Sequence, residues 1–314
     1  MTAKKRERII AILGPTASGK TALAVQLAKR LGTEIISGDS MLVYRGFDIG
    51  TAKPDEDERG GVRHALMDIL DPCESFSVSD FQRLAAAEIT AVNRRGRIPV
   101  LVGGTGLYVK ALLEGYEFNR TAGDMAYRQS LEALAEDKGR QYVHDMLAEV
   151  DPVAARRLHV NDFRRVIRAL EVVQLGKENI SNRRFYGGED LRYEAWVVGL
   201  RWERPLLYAR INERVRRMVD AGWEDEVRAL LAAGVSRTSP AMKGIGYREM
   251  AAFIAGETSR EDAVAAIQQA TRHFAKRQFT WYRKMPYIHW YEADHLPLSL
   301  LLEKVFQDVA GFFT

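Results

Sequence analysis

Apolar residues along this chain arrive in two alternating rhythms. Short, nearly continuous apolar runs at 8–13, 34–37, 64–70, 98–102 and 194–200, with a weaker one at 287–291, have the pattern of strands buried on both faces. Between them, 20–31, 78–95 and 107–113 space their apolar residues at three and four, as helices with one buried face do. This succession predicts βα units feeding an α/β fold, a parallel sheet with helices on both faces. From 115 to 193 the rhythm breaks, and only helical spacing is visible: 124–138, 140–149, a start at Asp151-Pro152, and 162–175 stopped by Gly176. The expectation is an α/β core assembled from 1–114 and 194–314, interrupted by a helical insertion domain at 115–193. Beyond the returning strand the chain reads mostly as helix, over 205–221, 224–233, 247–255 and 259–284, the last ended by Pro286.

A chain of 314 residues, 46% of them hydrophobic, can bury a large core. Its apolar runs are too short to span a bilayer, and Met-Thr-Ala-Lys-Lys-Arg at the start lacks the apolar segment of a secretory signal, so a cytoplasmic protein without membrane contact is expected. The single cysteine, Cys73, excludes an intramolecular disulfide and any zinc cluster of two or more thiolates, and reads as a small apolar residue near a loop. The net charge of +4 says little about partners, but its distribution says more. Between Arg156 and Arg184 eight basic residues face three acidic ones, and 271–284 holds five Lys/Arg, four aromatics and no acid. That composition suits phosphates and stacked bases. A solvated basic helix face with Phe274, Trp281 and Tyr282 turned to the core is the competing reading.

The chemistry begins at Gly14-Pro15-Thr16-Ala17-Ser18-Gly19-Lys20-Thr21, between the first strand and the first helix. The spacing G-x-x-x-x-G-K-[ST] is that of a phosphate-cradling loop: backbone N–H groups turn inward around an anion, Lys20 adds a point charge, and the Thr21 hydroxyl can hold Mg²⁺. The same cradle serves many phosphate esters. Nucleotide hydrolases usually end a second strand in an acid, yet 98–102 runs into Gly103-Gly104-Thr105-Gly106, whereas 34–37 leads through Gly38 to Asp39-Ser40. Asp39 either caps the following turn or, near the phosphate loop across the sheet, serves as a general base or metal-associated acid.

Several further blocks accompany the loop: Ile35-Ile-Ser-Gly-Asp-Ser40, Val43-Tyr-Arg-Gly-Phe-Asp-Ile-Gly-Thr-Ala-Lys-Pro54, Val102-Gly-Gly-Thr-Gly-Leu-Tyr108, Ile245-Gly-Tyr-Arg248 and Thr271-Arg-His-Phe-Ala-Lys-Arg-Gln-Phe-Thr-Trp-Tyr282. Together, over nearly the whole chain, they resemble the bacterial tRNA dimethylallyltransferase (tRNA isopentenyltransferase) family. The resemblance implies a P-loop NTPase-like fold acting as a monomer with Mg²⁺. It also implies the reaction, transfer of the dimethylallyl group of dimethylallyl diphosphate to N6 of adenosine 37, beside the tRNA anticodon. By the same resemblance Asp39 and Thr105 act at the reacting centre with an arginine, Arg214 slightly preferred to Arg210, which would otherwise assist the loop in holding diphosphate. The tRNA contacts it implies are Asp39, Ser40, Met41, Leu42 and Thr105; Arg128, Asn161, Asp162, Phe163, Arg164 and Arg165 in the insertion; and Lys243, Gly246, Arg248, Lys276, Arg277, Gln278 and Trp281. The chain departs from the family at Leu42, where many members carry Gln, and at Arg63-His64-Ala65, which replaces the usual Pro-His-His. The stretch 182–190 follows no family pattern, and the Cys/His zinc module of eukaryotic relatives is missing from the C-terminus.

Two other functions fit parts of the sequence. A small-molecule or nucleoside kinase would share the phosphate loop and a helical lid, and would consume ATP without RNA. A non-catalytic RNA-binding protein would use the basic tracts but leaves Lys20, Asp39 and Thr105 at one sheet edge unexplained.

Overall fold

The computed structural model describes residues 6–116, 124–176 and 191–314. Two compact units emerge: Met1–Gly115 with Gly187–Thr314, and Tyr116–Tyr186. In chain order the first begins β1 (Arg8–Leu13), α1 (Lys20–Leu31), β2 (Ile35–Ser37), α2 (Glu56–Arg59), β3 (His64–Ala65), α3 (Val78–Arg94), β4 (Val100–Gly103) and α4 (Gly106–Leu113). The second supplies α5 (Met125–Lys138), α6 (Arg140–Val150), α7 (Pro152–Arg157) and α8 (Phe163–Gly176). The first then resumes with β5 (Glu194–Arg201), α9 (Arg204–Asp220), α10 (Trp223–Ala232), α11 (Tyr247–Ile254), α12 (Arg260–Tyr282), β6 (Ile288–Glu292) and α13 (Leu298–Phe312).

The six strands form one parallel sheet in the order β3-β2-β4-β1-β5-β6. Because successive side chains on a strand point to opposite faces, β1 serves two cores at once. Ile9, Ala11 and Leu13 meet Phe81, Ile89, Tyr108 and Leu112 of α3 and α4 on one face, while Ile10 and Ile12 meet Leu23 and Leu27 of α1 and Val305 of α13 on the other. A third cluster lies outside the sheet, where Val43 and Phe47 pack with Trp223, Tyr247 and Ile267 of α10, α11 and α12. The fold is P-loop NTPase-like: a parallel sheet covered on both faces, with the phosphate loop between its central strand and α1.

Most departures from the sequence expectations have visible causes. The strand expected over 64–70 stops at Ala65, because Leu66 and Asp68 adopt left-handed φ of 64° and 54°. Asp68 thereby reaches the buried ammonium of Lys53. The C-terminal helix α13, entered through Pro297, and the single turn α2 were not expected; α2 is fixed by a capping box between Asp55 and Glu58. The last long helix ends at Tyr282, ahead of Pro286. The core resumes before the expected residue 194: Tyr193 is buried against β1 and β5, and the Arg192 N–H donates to Leu113 O at 2.8 Å. Cys73, expected as a small apolar residue, is exposed.

The helical unit has its own core of Leu131, Val143, Leu147, Val166, Ile167 and Leu170. Glu171, fully buried, accepts from the Asp124 N–H and pairs with Arg128 and Arg168. The stretch 182–190 lies outside the described residues.

Candidate active site

The chain leaves β1 at Leu13 and turns through the phosphate loop into α1, with Ala17 at φ 65° and Gly19 at φ 87°. The left-handed pair turns the backbone sharply into the N-terminus of α1, whose positive end suits an anion. Four neighbours brace the loop from outside. Trp202 Nε1 donates to Ser18 O at 3.0 Å, and Arg210, stacked 4.3 Å from the Trp202 ring, donates from Nε to Ala17 O at 2.9 Å. From α12, Tyr282 donates to Gly14 O at 3.0 Å and Gln278 Oε1 accepts the Thr16 N–H at 2.9 Å.

A cavity of about 390 Å³ opens above the loop, lined by Thr16, Lys20, Thr21, Asp39 and Arg214 on one side. Its remaining wall is largely apolar, with Met67, Ile211, Val215, Met218, Trp223, Tyr247 and Phe274. Asp39 lies just beyond β2, where its Oδ1 accepts the Met41 N–H at 2.8 Å, so the carboxylate does cap its turn. Its place in the cavity wall leaves it able to serve a ligand as well. Thr105, between β4 and α4, accepts the Ser40 N–H at 3.3 Å and ties the two strand-end turns together.

Burial sets the electrostatics. It lowers the Lys20 ammonium to about 8, helped by repulsion from Arg214 and opposed by Asp39. Burial also lowers Arg214, against the attraction of Asp39 and Glu58. Two cations crowded in a poorly solvated site form a receptor for a polyanion, because a phosphate relieves both penalties at once. The ambiguity between the two arginines narrows here: Arg214 lines the cavity and reaches Thr16 Oγ1 at 3.2 Å, whereas Arg210 spends its Nε on the loop backbone outside it.

The family model for IPP transferase matches residues 42–285 of the chain. The tRNA dimethylallyltransferases of Bacillus cytotoxicus and Symbiobacterium thermophilum are 46% and 49% identical to it, over 93% and 90% of this chain and 92% and 88% of theirs. The chain belongs to the IPP transferase family. Among solved structures, the full-length tRNA isopentenylpyrophosphate transferase of Bacillus halodurans matches with a TM-score of 0.74 and 43% identity, covering 98% of this chain and 97% of that one. A eukaryotic dimethylallyltransferase captured acting on tRNA matches with a TM-score of 0.77 at 27% identity, over 92% of this chain and 74% of that one.

For an IPP transferase, the residues expected to meet RNA fall into three sets. Ser40, Met41, Leu42, Lys243 and Arg277 line the cavity, and Arg248 and Lys276 are exposed outside it. Asn161, Asp162, Arg164 and Arg165 are exposed at the start of α8 in the helical unit, beside half-buried Phe163. The rest have internal roles. Gly246 is buried, and a Cβ there would stand 2.0 Å from the Trp223 ring, so packing requires the absence of a side chain. Gln278 is likewise buried, with both ends of its amide engaged, and Arg128 is bidentate to Glu171. Trp281 is half-buried against Gly106 of α4.

Sequence reasoning missed the supports of the cavity wall. Glu226 of α10 accepts the N–H groups of Asp48, Ile49 and Gly50 and the hydroxyl of Tyr247. Lys53, buried, bonds Tyr44 O and pairs with Asp48 and Asp68. The block Gly50-Thr-Ala-Lys-Pro54 carried the only signal for them: a lysine amid turn residues.

Proposed function

We propose that this chain transfers the dimethylallyl group from dimethylallyl diphosphate to N6 of adenosine 37 in tRNA. The observation that supports it best is one cavity holding a cationic phosphate cradle, a carboxylate and an apolar wall. Diphosphate would sit on the loop amides with Lys20 and Arg214. The prenyl unit would lie toward the apolar wall, and adenine would enter past Ser40, Met41 and Leu42. The new bond joins N6 to C1 of the prenyl group as the C1–O bond breaks, its electron pair leaving with diphosphate. The N6 proton passes to the Asp39 carboxylate, since an exocyclic amine is a poor nucleophile until a base accepts its proton. Lys20, Arg214 and the loop amides stabilise the charge that grows on the leaving group. Thr105 holds the Ser40 turn where adenine arrives.

Thr21, Ser37 and Asp39 line the same cavity with oxygen donors, a set that fits a hard cation such as Mg²⁺. When bound, that cation neutralises charge on the diphosphate. An adenosine beside the anticodon must leave its stack to reach the cavity, at a cost of a few kcal/mol. Arg248, Lys276 and Arg277 on the core, and Asn161, Asp162, Phe163, Arg164 and Arg165 on the helical arm, would hold the anticodon stem-loop against that cost. No described helix is long and apolar enough to cross a membrane, and we take the working unit to be a monomer acting on tRNA in the cytoplasm.

Mass spectrometry of nucleosides from tRNA incubated with the protein, dimethylallyl diphosphate and Mg²⁺ tests the reading. A five-carbon gain on adenosine is expected, with diphosphate released only when RNA is present. Steady ATP turnover without RNA and no mass gain would restore the kinase. Against the kinase already stands the β4 turn, Gly103-Gly104-Thr105, which carries no acid.

A further inference from the structure

The C-terminal half of α12 presents two different surfaces. Gln278 and Tyr282, one helical turn apart, are buried, while Lys276 and Arg277, and Arg283 and Lys284 just past the helix end, are exposed. The buried pair bridges two separate segments of the site. Gln278 accepts the Thr16 N–H at 2.9 Å through Oε1 and donates to Gly104 O at 2.8 Å through Nε2. The Tyr282 hydroxyl lies 3.0 Å from Gly14 O and 3.2 Å from Gly104 O. The approach is close: a Cβ at 104 would stand 2.3 Å from Gln278 Nε2 and would push the amide from its place.

Both ends of this bridge matter. Gly14 and Thr16 open the phosphate loop, and Gly104 immediately precedes Thr105, whose hydroxyl holds the Ser40 turn. The Thr16 N–H is directed at α12 instead of at a bound anion, so the shape of the loop's entry depends on where the helix sits. A helix is stiff, and a small shift imposed on its exposed basic face moves its buried face with it.

We propose that Gln278, supported by Tyr282, is a positioning residue that couples RNA docking on α12 to the geometry of the phosphate loop. This inference rests on the prenyl-transfer reading. RNA bound to the basic face holds α12, α12 holds Thr16 and Gly104, and the loop then grips diphosphate more tightly. By linkage, diphosphate tightens RNA binding by the same factor. Without the amide bridge, the two ligands bind independently.

The dissociation constant of inorganic diphosphate with Mg²⁺ is measured by calorimetry, with and without a saturating anticodon stem-loop RNA. The proteins are the wild type, Gln278→Met and Tyr282→Phe, with tRNA prenylation by the wild type assayed in parallel. RNA is expected to tighten diphosphate binding about fivefold or more in the wild type, within the usual range of coupling between sites. The ratio should fall to near one in Gln278→Met and part-way in Tyr282→Phe. A wild-type ratio of one, or a ratio unchanged in the variants, overturns the coupling. If Gln278→Met does not fold, Tyr282→Phe decides by the same criterion. A wild type that shows the ratio yet never prenylates tRNA overturns the proposed function and leaves the coupling standing. Prenylation with an unchanged ratio in the variants does the reverse.

Discussion

Lys20 and Asp39 line one cavity, and substitution separates the phosphate-binding role proposed for one from the proton-accepting role proposed for the other. Asp39→Ala should lower the single-turnover rate of prenyl transfer at saturating tRNA and donor by roughly 10²–10⁴-fold, the span for a lost general base, while donor affinity stays near normal. A near-wild-type rate would remove the carboxylate from the mechanism. Lys20→Ala should weaken donor binding as well as rate, because the ammonium meets phosphate before and during reaction. Lys20 also sets a pH dependence. Its ammonium is lowered to about 8 in the free protein, so it is charged below that pH and neutral above it. The logarithm of the association constant for dimethylallyl diphosphate should break downward as pH rises above about 8, where Lys20 loses its charge. A Lys20→Met titration without that break, beside a wild type that has it, assigns the break to this residue. The loop residues were legible because their spacing is local and their chemistry sits in consecutive positions. Gln278 and Tyr282 were not, since what decides their role, Thr16 and Gly104, lies more than 170 residues away in sequence.

Among the elements, the segment between Phe47 and Pro54 shows how a cavity wall is kept in shape without regular structure. The Glu226 carboxylate gathers three consecutive N–H groups and a tyrosine hydroxyl, so Glu226→Ala leaves these donors without their acceptor. Urea denaturation should show a loss of about 2–4 kcal/mol, from the usual cost of stranded donors. A change under 0.5 kcal/mol would mean that water satisfies them. On α8, Arg164 and Arg165 are exposed at the N-terminal turn. Replacing both by Ala should weaken tRNA binding and flatten its dependence on log salt by about 1.4–1.8, if each covers one phosphate. Titrations at several salt concentrations check this, and unchanged slopes would make α8 a structural helix. Elements with strong periodicity were readable: β1 and α1 fall where the pattern places them. The 64–70 run was misread because left-handed Leu66 and Asp68 answer to the Lys53 ion pair, a tertiary demand with no trace in local spacing. The apolar spacing of 298–312, by contrast, is helical and matches α13.

At the scale of the whole molecule, the parallel sheet carries the proposed chemistry and the helical unit carries its own core. Replacing Tyr116–Tyr186 with a short Gly/Ser linker should leave a folded protein that binds diphosphate and Mg²⁺ with wild-type affinity and loses most affinity for tRNA. Thermal melting and calorimetry on that deletion check both parts, and a failure to fold would show that the core depends on the arm. The hydrogen bond from Arg192 N–H to Leu113 O bears on the outcome. The polypeptide departs from the core and re-enters it at adjacent points, so a linker of a few residues closes the gap with little loss of chain entropy. The excursion to the helical unit thus begins and ends at neighbouring points of the core backbone. Insertions, deletions or a foreign RNA-binding hairpin spliced between these neighbours would leave the sheet's register untouched. Substrate choice could then be altered by exchange of a cassette while the phosphate site stays as it is.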